Sequence, residues 1–412
     1  MRTAFKAARV LPDADSEIRD GAVVVEGDRI VWVGAAGEGP PVDETIDLGA
    51  AVLVPGLVNA HSHLDLTHLR GAVPFEGEFA RWAERIMHGR KKPGAGEAAR
   101  KGVREAVARG TTTFGDIVDP RNFHEIVGTF RETGARGRLF VEAIGFRPEA
   151  ADRVFEAVWD LVEMQALPAN VVTGVSPHAP YSVSRPLLDR VVAVADGHGR
   201  PLAVHLAETL EELAFLRHGI GPLRELLKRA GADDPSYVPD GSAAGFLKRI
   251  ELRRASLLLV HGNYLRPRDV PMGAFVVYCP TAHAFFGHPE HPVLEMLEEG
   301  VRVALGSDSA ASGESVDVLS ETQHLARMRP DLQPRAVFRM ATEWGARGLG
   351  FDAGTLAAGR LADIVAFTPV AGHEILGHPD ARCVLSAVGG RVLYRIDPMA
   401  PLGETARLPT VA

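Results

Sequence analysis

A chain of 412 residues, 46% hydrophobic and 24% charged, is ordinary globular material too long for one core, so a large domain plus a smaller one is expected. A formal net charge of −8 argues against nucleic acid or an anionic membrane as partner, and neither a long apolar run nor a basic-then-apolar leader pattern is seen. The two cysteines, Cys279 and Cys383, exclude a disulfide scaffold and read as small core residues in a reducing cytoplasm.

In chain order, residues 21–34 (GAVVVEGDRIVWVG) read as two alternating strands around a Gly27-Asp28 turn. Next, an apolar run at 57–60 leads into PGLVNAHSHLDL (55–66), which places His61 and His63 two apart. On a strand, that spacing sends both imidazoles from one face, where they can reach one metal at about 2.1 Å each; on a helix they would diverge by about 200°. A helical pattern at 97–109 ends at Gly110 as a C-terminal cap. Further short strands are expected near 111–118, 138–144, 171–175, 201–205, 256–260, 275–278 and 301–305.

Strand alternating with helix in this way predicts an α/β fold, a (β/α)₈ TIM barrel over 56–352. An open doubly wound sheet ranks lower, because no G-x-G-x-x-G turn follows an early strand. Strand patterns return at 359–367 and 383–394. Short β segments at both ends would need each other to bury a face, so a composite β-sandwich from 1–55 and 353–412, with a C-terminal tail, is expected.

In such a barrel, active residues gather at the carboxyl ends of the strands. His61 and His63 end strand one, His178 ends strand four, and His205 with Glu208 ends strand five. His261 ends strand six and Asp308 ends strand eight. Any one of these histidines, among 16 in the chain, is most simply a satisfied core or surface residue. Their joint placement at strand ends points instead to one site.

PGLVNAHSH, the H-x-x-E after strand five, VHG after strand six and GSD after strand eight resemble the amidohydrolase superfamily in order and spacing, over nearly the whole chain. The segment 341–365 is similar to that superfamily's return into its β-sandwich. The nearest likeness is to the mononuclear ring-deaminase branch. The resemblance implies that His61, His63, His205 and Asp308 bind one divalent metal, zinc or alternatively iron. It makes Glu208 the proton shuttle, and His261 the contact to the attacking hydroxide.

The chemistry agrees: three imidazoles and a carboxylate suit zinc or ferrous iron, and an open position lets bound water ionise near pH 7. Glu208 can carry that proton to a ring nitrogen, His261 can stabilise charge on oxygen, and Asp308 can hold the second proton. Binuclear members of the superfamily carry a bridging lysine on strand four, and no lysine occurs between 102 and 227, which favours one metal. The widely separated cysteines exclude the zinc deaminases with a P-C-x-x-C signature.

A small heteroaromatic substrate is the expected partner, with a homodimer admitted. Phe79, Trp82 and Ile86 fall at helical spacing, either as a packing stripe or with Trp82 over the pocket mouth. Arg81 stands where the methylthioadenosine and S-adenosylhomocysteine deaminases carry a ribose-holding glutamate. Arg81 or Arg147 could therefore meet a substrate carboxylate. His178 and Tyr181 in SPHAPYS, and Phe285 after strand seven, complete the candidate substrate contacts.

NAHSHLDLT, F-x-x-W and SPHAPYSVS look most like deaminases of 6-aminodeoxyfutalosine. The expected activity is hydrolytic deamination of an adenine-type ring, in that compound or a related adenosine derivative. The alternatives are a guanine- or cytosine-type or other N-heterocycle deaminase, a triazine chlorohydrolase, or a catalytically dead binding barrel.

Overall fold

Runs rich in β-branched residues and leucine, without polar alternation, suit strands buried on both faces. In the computed structural model, which describes residues 1–91, 94–370 and 372–396, they form an eight-stranded parallel barrel. Its strands one to eight are Leu57–Ser62, Thr111–Val118, Arg136–Ala143, Val171–Pro177, Leu202–Leu206, Leu257–His261, Phe275–Tyr278 and Arg302–Leu305. Each pairs in parallel with the next.

Strand eight returns to strand one through a Ser62–Asp308 bridge. The N–H groups of Ser307 and Asp308 both donate to His61 O, at 3.0 and 3.1 Å. Asn59 pins the seam by donating to Ser307 Oγ (2.7 Å) and Val316 O (3.0 Å) and accepting from Ser307 N (3.1 Å). The barrel therefore closes at the candidate site itself.

The chain ends build a separate mixed sheet. Its order is Arg391–Arg395, Cys383–Val388, Ile364–Phe367, Val52–Pro55, Arg2–Val10, Ile18–Glu26 and Arg29–Ala35, with Glu44–Asp47 pairing on Arg2–Val10. The 21–34 hairpin turns at Gly27, whose φ of +64° suits glycine. Arg2–Val10 carries alanine and lysine where strands favour β-branched residues, so its own pattern did not announce it. The part of the expected tail beyond residue 396 lies outside the described residues.

Two local expectations shift. The helix expected at 97–109 spans Ala95–Val107, and Gly110, at φ +95°, turns the chain into strand two. The strand expected from residue 359 starts only at Ile364. Asp363 instead takes a bidentate bond from Arg136 on strand three, at 2.7 and 2.8 Å, clamping the barrel to the terminal sheet.

After strand eight, helix Val318–Met328 buries Glu321, which accepts from Thr281 N at 3.0 Å and Thr281 Oγ at 2.5 Å. Burial pushes its carboxyl up to about 8 from an ordinary 4.5. A carboxyl raised on folding contributes stability below its unfolded value and loses it as pH climbs through its folded value. Glu321→Gln, which can keep both Thr281 contacts, should therefore gain thermal midpoint relative to the parent from about pH 5 to pH 8. An offset between the two proteins that stays flat over that range would contradict this.

Candidate active site

His61, His63, His205 and Asp308 come from the ends of strands one, five and eight and converge at the barrel mouth. His63 Nε2 lies 3.2 Å from His205 Nε2. Asp308 Oδ1 lies 3.4 Å from His61 Nε2 and 3.7 Å from His63 Nε2. Donors about 2.1 Å from one tetrahedral metal stand about 3.4 Å apart, so these separations fit one ion. His61, His63 and His205 form one group able to hold it, and His61, His261 and Asp308 form another.

The hydrogen bonding agrees with this donor set. His205 Nδ1 is spent on His178 O at 2.9 Å, which leaves Nε2 a bare lone pair turned toward His63. His61 is fully buried, and neither of its ring nitrogens has a hydrogen-bond partner. Such an orphaned imidazole is costly unless a cation takes it. Burial, reinforced by His61, holds His63 well below its ordinary value; burial, with His178 and His61 behind it, does the same for His205. Burial also works to raise Asp308, but the surrounding imidazoles outweigh it and hold its carboxyl low. Neutral imidazoles facing an ionised carboxylate are the protonation states a metal needs.

The backbone is bent to present these groups. Among the described residues, the non-glycine positions with positive φ are Asp20, Ala207, His261 and Asp308, and three of these four lie at the site. Such conformations cost about 1–3 kcal/mol each and persist where surrounding contacts enforce them. Glu212 enforces the turn after strand five by accepting from Ala207 N and Glu208 N, both at 2.9 Å. Asn263 donates to Glu208 O at 2.9 Å. Glu208 Oε1 then stands 3.5 Å from His261 Nε2. Burial, reinforced by Asp308 and Glu212, pushes the Glu208 carboxyl well above its usual value. Burial alike takes His261 down to about 3.

Above these groups lies a mostly apolar cavity of about 360 Å³. Helix Phe79–Gly89 roofs it with Phe79, Trp82 and Ile86, so the stripe both packs and lines the pocket. Its first turn is tied to the strand-five loop, where Glu211 accepts from Phe79 N (2.7 Å) and Ala80 N (3.0 Å). His178 and Tyr181 line the wall as expected.

Three expected contacts lie outside this cavity. Arg81 is one residue, or about 100°, round the helix from Trp82. It therefore faces solvent, with its side chain 68% exposed and bound to Glu78 at 3.1 Å. Phe285 packs edge-on behind Trp82, with ring centroids 6.2 Å apart, and faces a neighbouring groove; the buried ring beside Trp82 is Phe286. Arg147 sits on the rim, in a separate groove.

The arginine that does line the cavity is Arg90, at the end of the roof helix. It bonds Asp65 at 2.9 Å and Glu142 at 2.8 Å and approaches Asp119 to 3.6 Å. Burial works to lower the Arg90 pKa, but these three carboxylates outweigh it and hold the guanidinium charged. Glu142, on strand three, is lifted to about 7 by burial against the pull of Arg90, and lies 3.6 Å from His178 Nε2.

Sequence reasoning missed both residues. Glu142 was findable as an acid near the carboxyl end of a barrel strand; Arg90 carried no such signal. Arg90→Met should cost about 3–5 kcal/mol in urea unfolding, because it strands buried carboxylates. A loss below about 1 kcal/mol would reduce the cluster to a surface-like pair.

The sequence signature of the Amidohydrolase family spans residues 52–393, and the chain belongs to that family. It is 28% identical over 410 residues to the 5-methylthioadenosine/S-adenosylhomocysteine deaminase of Pyrococcus abyssi, covering 94% of this chain and 90% of the relative. It is 31% identical over 357 residues to the aminodeoxyfutalosine deaminase of Deinococcus radiodurans, covering 80% and 81%.

In fold it is similar to the Helicobacter pylori aminofutalosine deaminase bound to methylthio-coformycin (TM-score 0.82, 19% identity, 95% of this chain and 99% of that one). A zinc-bound adenosine deaminase from Xanthomonas campestris gives a TM-score of 0.78 at 23% identity, covering 97% and 94%.

Proposed function

We propose that the chain is a metal-dependent aminohydrolase that replaces the exocyclic amine of an adenine-type ring with oxygen and releases ammonia. The observation that carries this reading is the joining of the His61–His63–His205–Asp308 donor set to a buried Glu208 beneath an apolar, ring-sized cavity. The named activities of the relatives support it.

One divalent ion, zinc or alternatively iron, would be held by His61, His63, His205 and Asp308, and would supply water that ionises near neutral pH. Trp82 and Tyr181, both lining the cavity, would contact the ring, and the apolar walls would exclude bulk water. Glu208 takes the proton of the attacking water and delivers it to a ring nitrogen, making the adjacent carbon more electrophilic. Its buried setting keeps the protonated carboxyl accessible at neutral pH. His261, 3.5 Å from Glu208 and neutral, donates to the developing oxyanion. Asp308 accepts the second proton and passes it to the departing amine, so that ammonia leaves neutral. His178, backed by Glu142, meets the ring or sugar edge.

Among the described residues no helix is long and apolar enough to cross a membrane. The two buried, free cysteines suit the reducing cytoplasm in which we place the protein. Ammonia release from 5′-deoxyadenosine, with chlorotriazines as the opposing arm, tests the reading. Turnover of the nucleoside alone supports it, and chloride release without nucleoside turnover overturns it.

A further inference from the structure

The loop after strand five carries Glu208, Glu211 and Glu212, and each carboxyl has a different surrounding. Glu208 is the buried acid beside the metal-ligand cluster. Glu212 turns inward and accepts from the N–H groups of Ala207 and Glu208. Glu211, partly exposed, reaches instead to the roof helix Phe79–Gly89. Its Oε1 accepts from Phe79 N at 2.7 Å and its Oε2 from Ala80 N at 3.0 Å.

That helix starts without a cap of its own. Its N-cap residue, Glu78, makes no side-chain capping bond and pairs with Arg81 at 3.1 Å instead. No acid stands in its first turn either. The first N–H groups of a helix have no partner within it, so an uncapped first turn opens readily. Glu211 provides from a different loop the cap that the local sequence omits, and sets a negative charge at the positive end of the helix.

The turn fixed in this way carries the front of the cavity roof. Phe79 opens it, and Trp82 N closes it on Glu78 O at 3.2 Å. Both rings line the cavity, and both pack on Phe286, with centroids 5.5 and 4.9 Å away. Further along, the helix is held independently, by Glu84 with Arg229 at 3.0 Å and by Arg90 with Asp65 and Glu142. Loss of the Glu211 contacts would therefore loosen the first turn and leave the far end anchored.

We propose that Glu211 is a positioning residue for the substrate: by capping the roof helix from the strand-five loop, it holds Phe79 and Trp82 over the ring. This rests on the deaminase reading above. Glu212, and not Glu211, fixes the backbone at Glu208, so ring binding and proton transfer separate between the two neighbours. A cavity whose roof is in place in only a fraction of molecules binds its ring more weakly by that fraction.

The test compares the metal-loaded full chain with Glu211→Ala and Glu211→Gln. Amide hydrogen exchange over 79–83 should quicken by about 5- to 20-fold in Glu211→Ala, the effect expected of a lost helix cap, with the barrel strands unchanged. KM for 5′-deoxyadenosine should rise by about 3- to 10-fold while kcat stays within about 2-fold. Calorimetric binding of 5′-deoxyinosine, the deaminated product, should weaken by the same factor without turnover. Glu211→Gln, whose one amide oxygen can take one of the two N–H groups, should fall between. It carries the comparison if the alanine variant does not fold.

Faster exchange with KM and product affinity unchanged reduces Glu211 to a structural cap and overturns the proposal. A fall in kcat at constant KM, or exchange over 79–83 as slow as in the parent, overturns it too; each leaves deamination intact. A parent that neither converts 5′-deoxyadenosine nor binds 5′-deoxyinosine overturns the deaminase reading, and the role of Glu211 falls with it.

Discussion

Replacing Glu208 by glutamine should lower kcat/KM for an adenine nucleoside by about 10²- to 10⁴-fold, with metal content unchanged. The amide cannot take a proton from water or return one, yet it fills the same volume and leaves the Glu212 and Asn263 contacts to the backbone at this position intact. Stability should move the other way. The Glu208 carboxyl is raised on folding, so its ionised form is penalised in the folded chain near pH 7 and the amide escapes that penalty. A slow variant that unfolds no earlier than the parent separates a chemical role from a structural one. Full activity, or a collapse in thermal midpoint that matches the loss of rate, would contradict the assignment.

His63→Ala should remove the metal. The parent is expected to carry about one ion per chain, and its thermal midpoint should rise with added zinc, because an ion held only by the folded chain stabilises it by mass action. The variant should retain under about a tenth of an ion, lose that zinc-dependent rise, and fall by about 10³-fold or more in kcat. Chelation of the parent should give the same loss, reversed by adding metal back. Two ions per parent chain would contradict the mononuclear site, and full metal content in the variant would remove His63 from the ligand set.

What was legible in the sequence were features fixed by period and position. His61 and His63 share a face because a strand repeats every two residues, and the barrel could be read because doubly buried strands appear as unbroken apolar runs. The carboxyl ends of those strands then located His178, His205, Glu208, His261 and Asp308 without any contact being known.

Residues placed by loops and helix ends were not legible. Arg81 and Arg90 lie on or just past one helix, and only packing decides that the first points to solvent and the second into a cluster with Asp65 and Glu142. Phe285 and Phe286 are neighbours at the end of a six-residue helix, too short for its periodicity to say which ring turns inward. Arg147 was singled out for its charge; its place on the rim, beside Arg153, follows from how the segments after strands three and five come together.

The donor set of His61, His63, His205 and Asp308 is expected to perform hydrolytic deamination. The most direct measurement follows ammonia and nucleoside together, using protein of known metal content and 5′-deoxyadenosine. The expected result is one ammonia released per adenine ring converted, at a rate proportional to bound metal and abolished in His63→Ala. Protein carrying its full metal complement that releases no ammonia from any adenine nucleoside would contradict it.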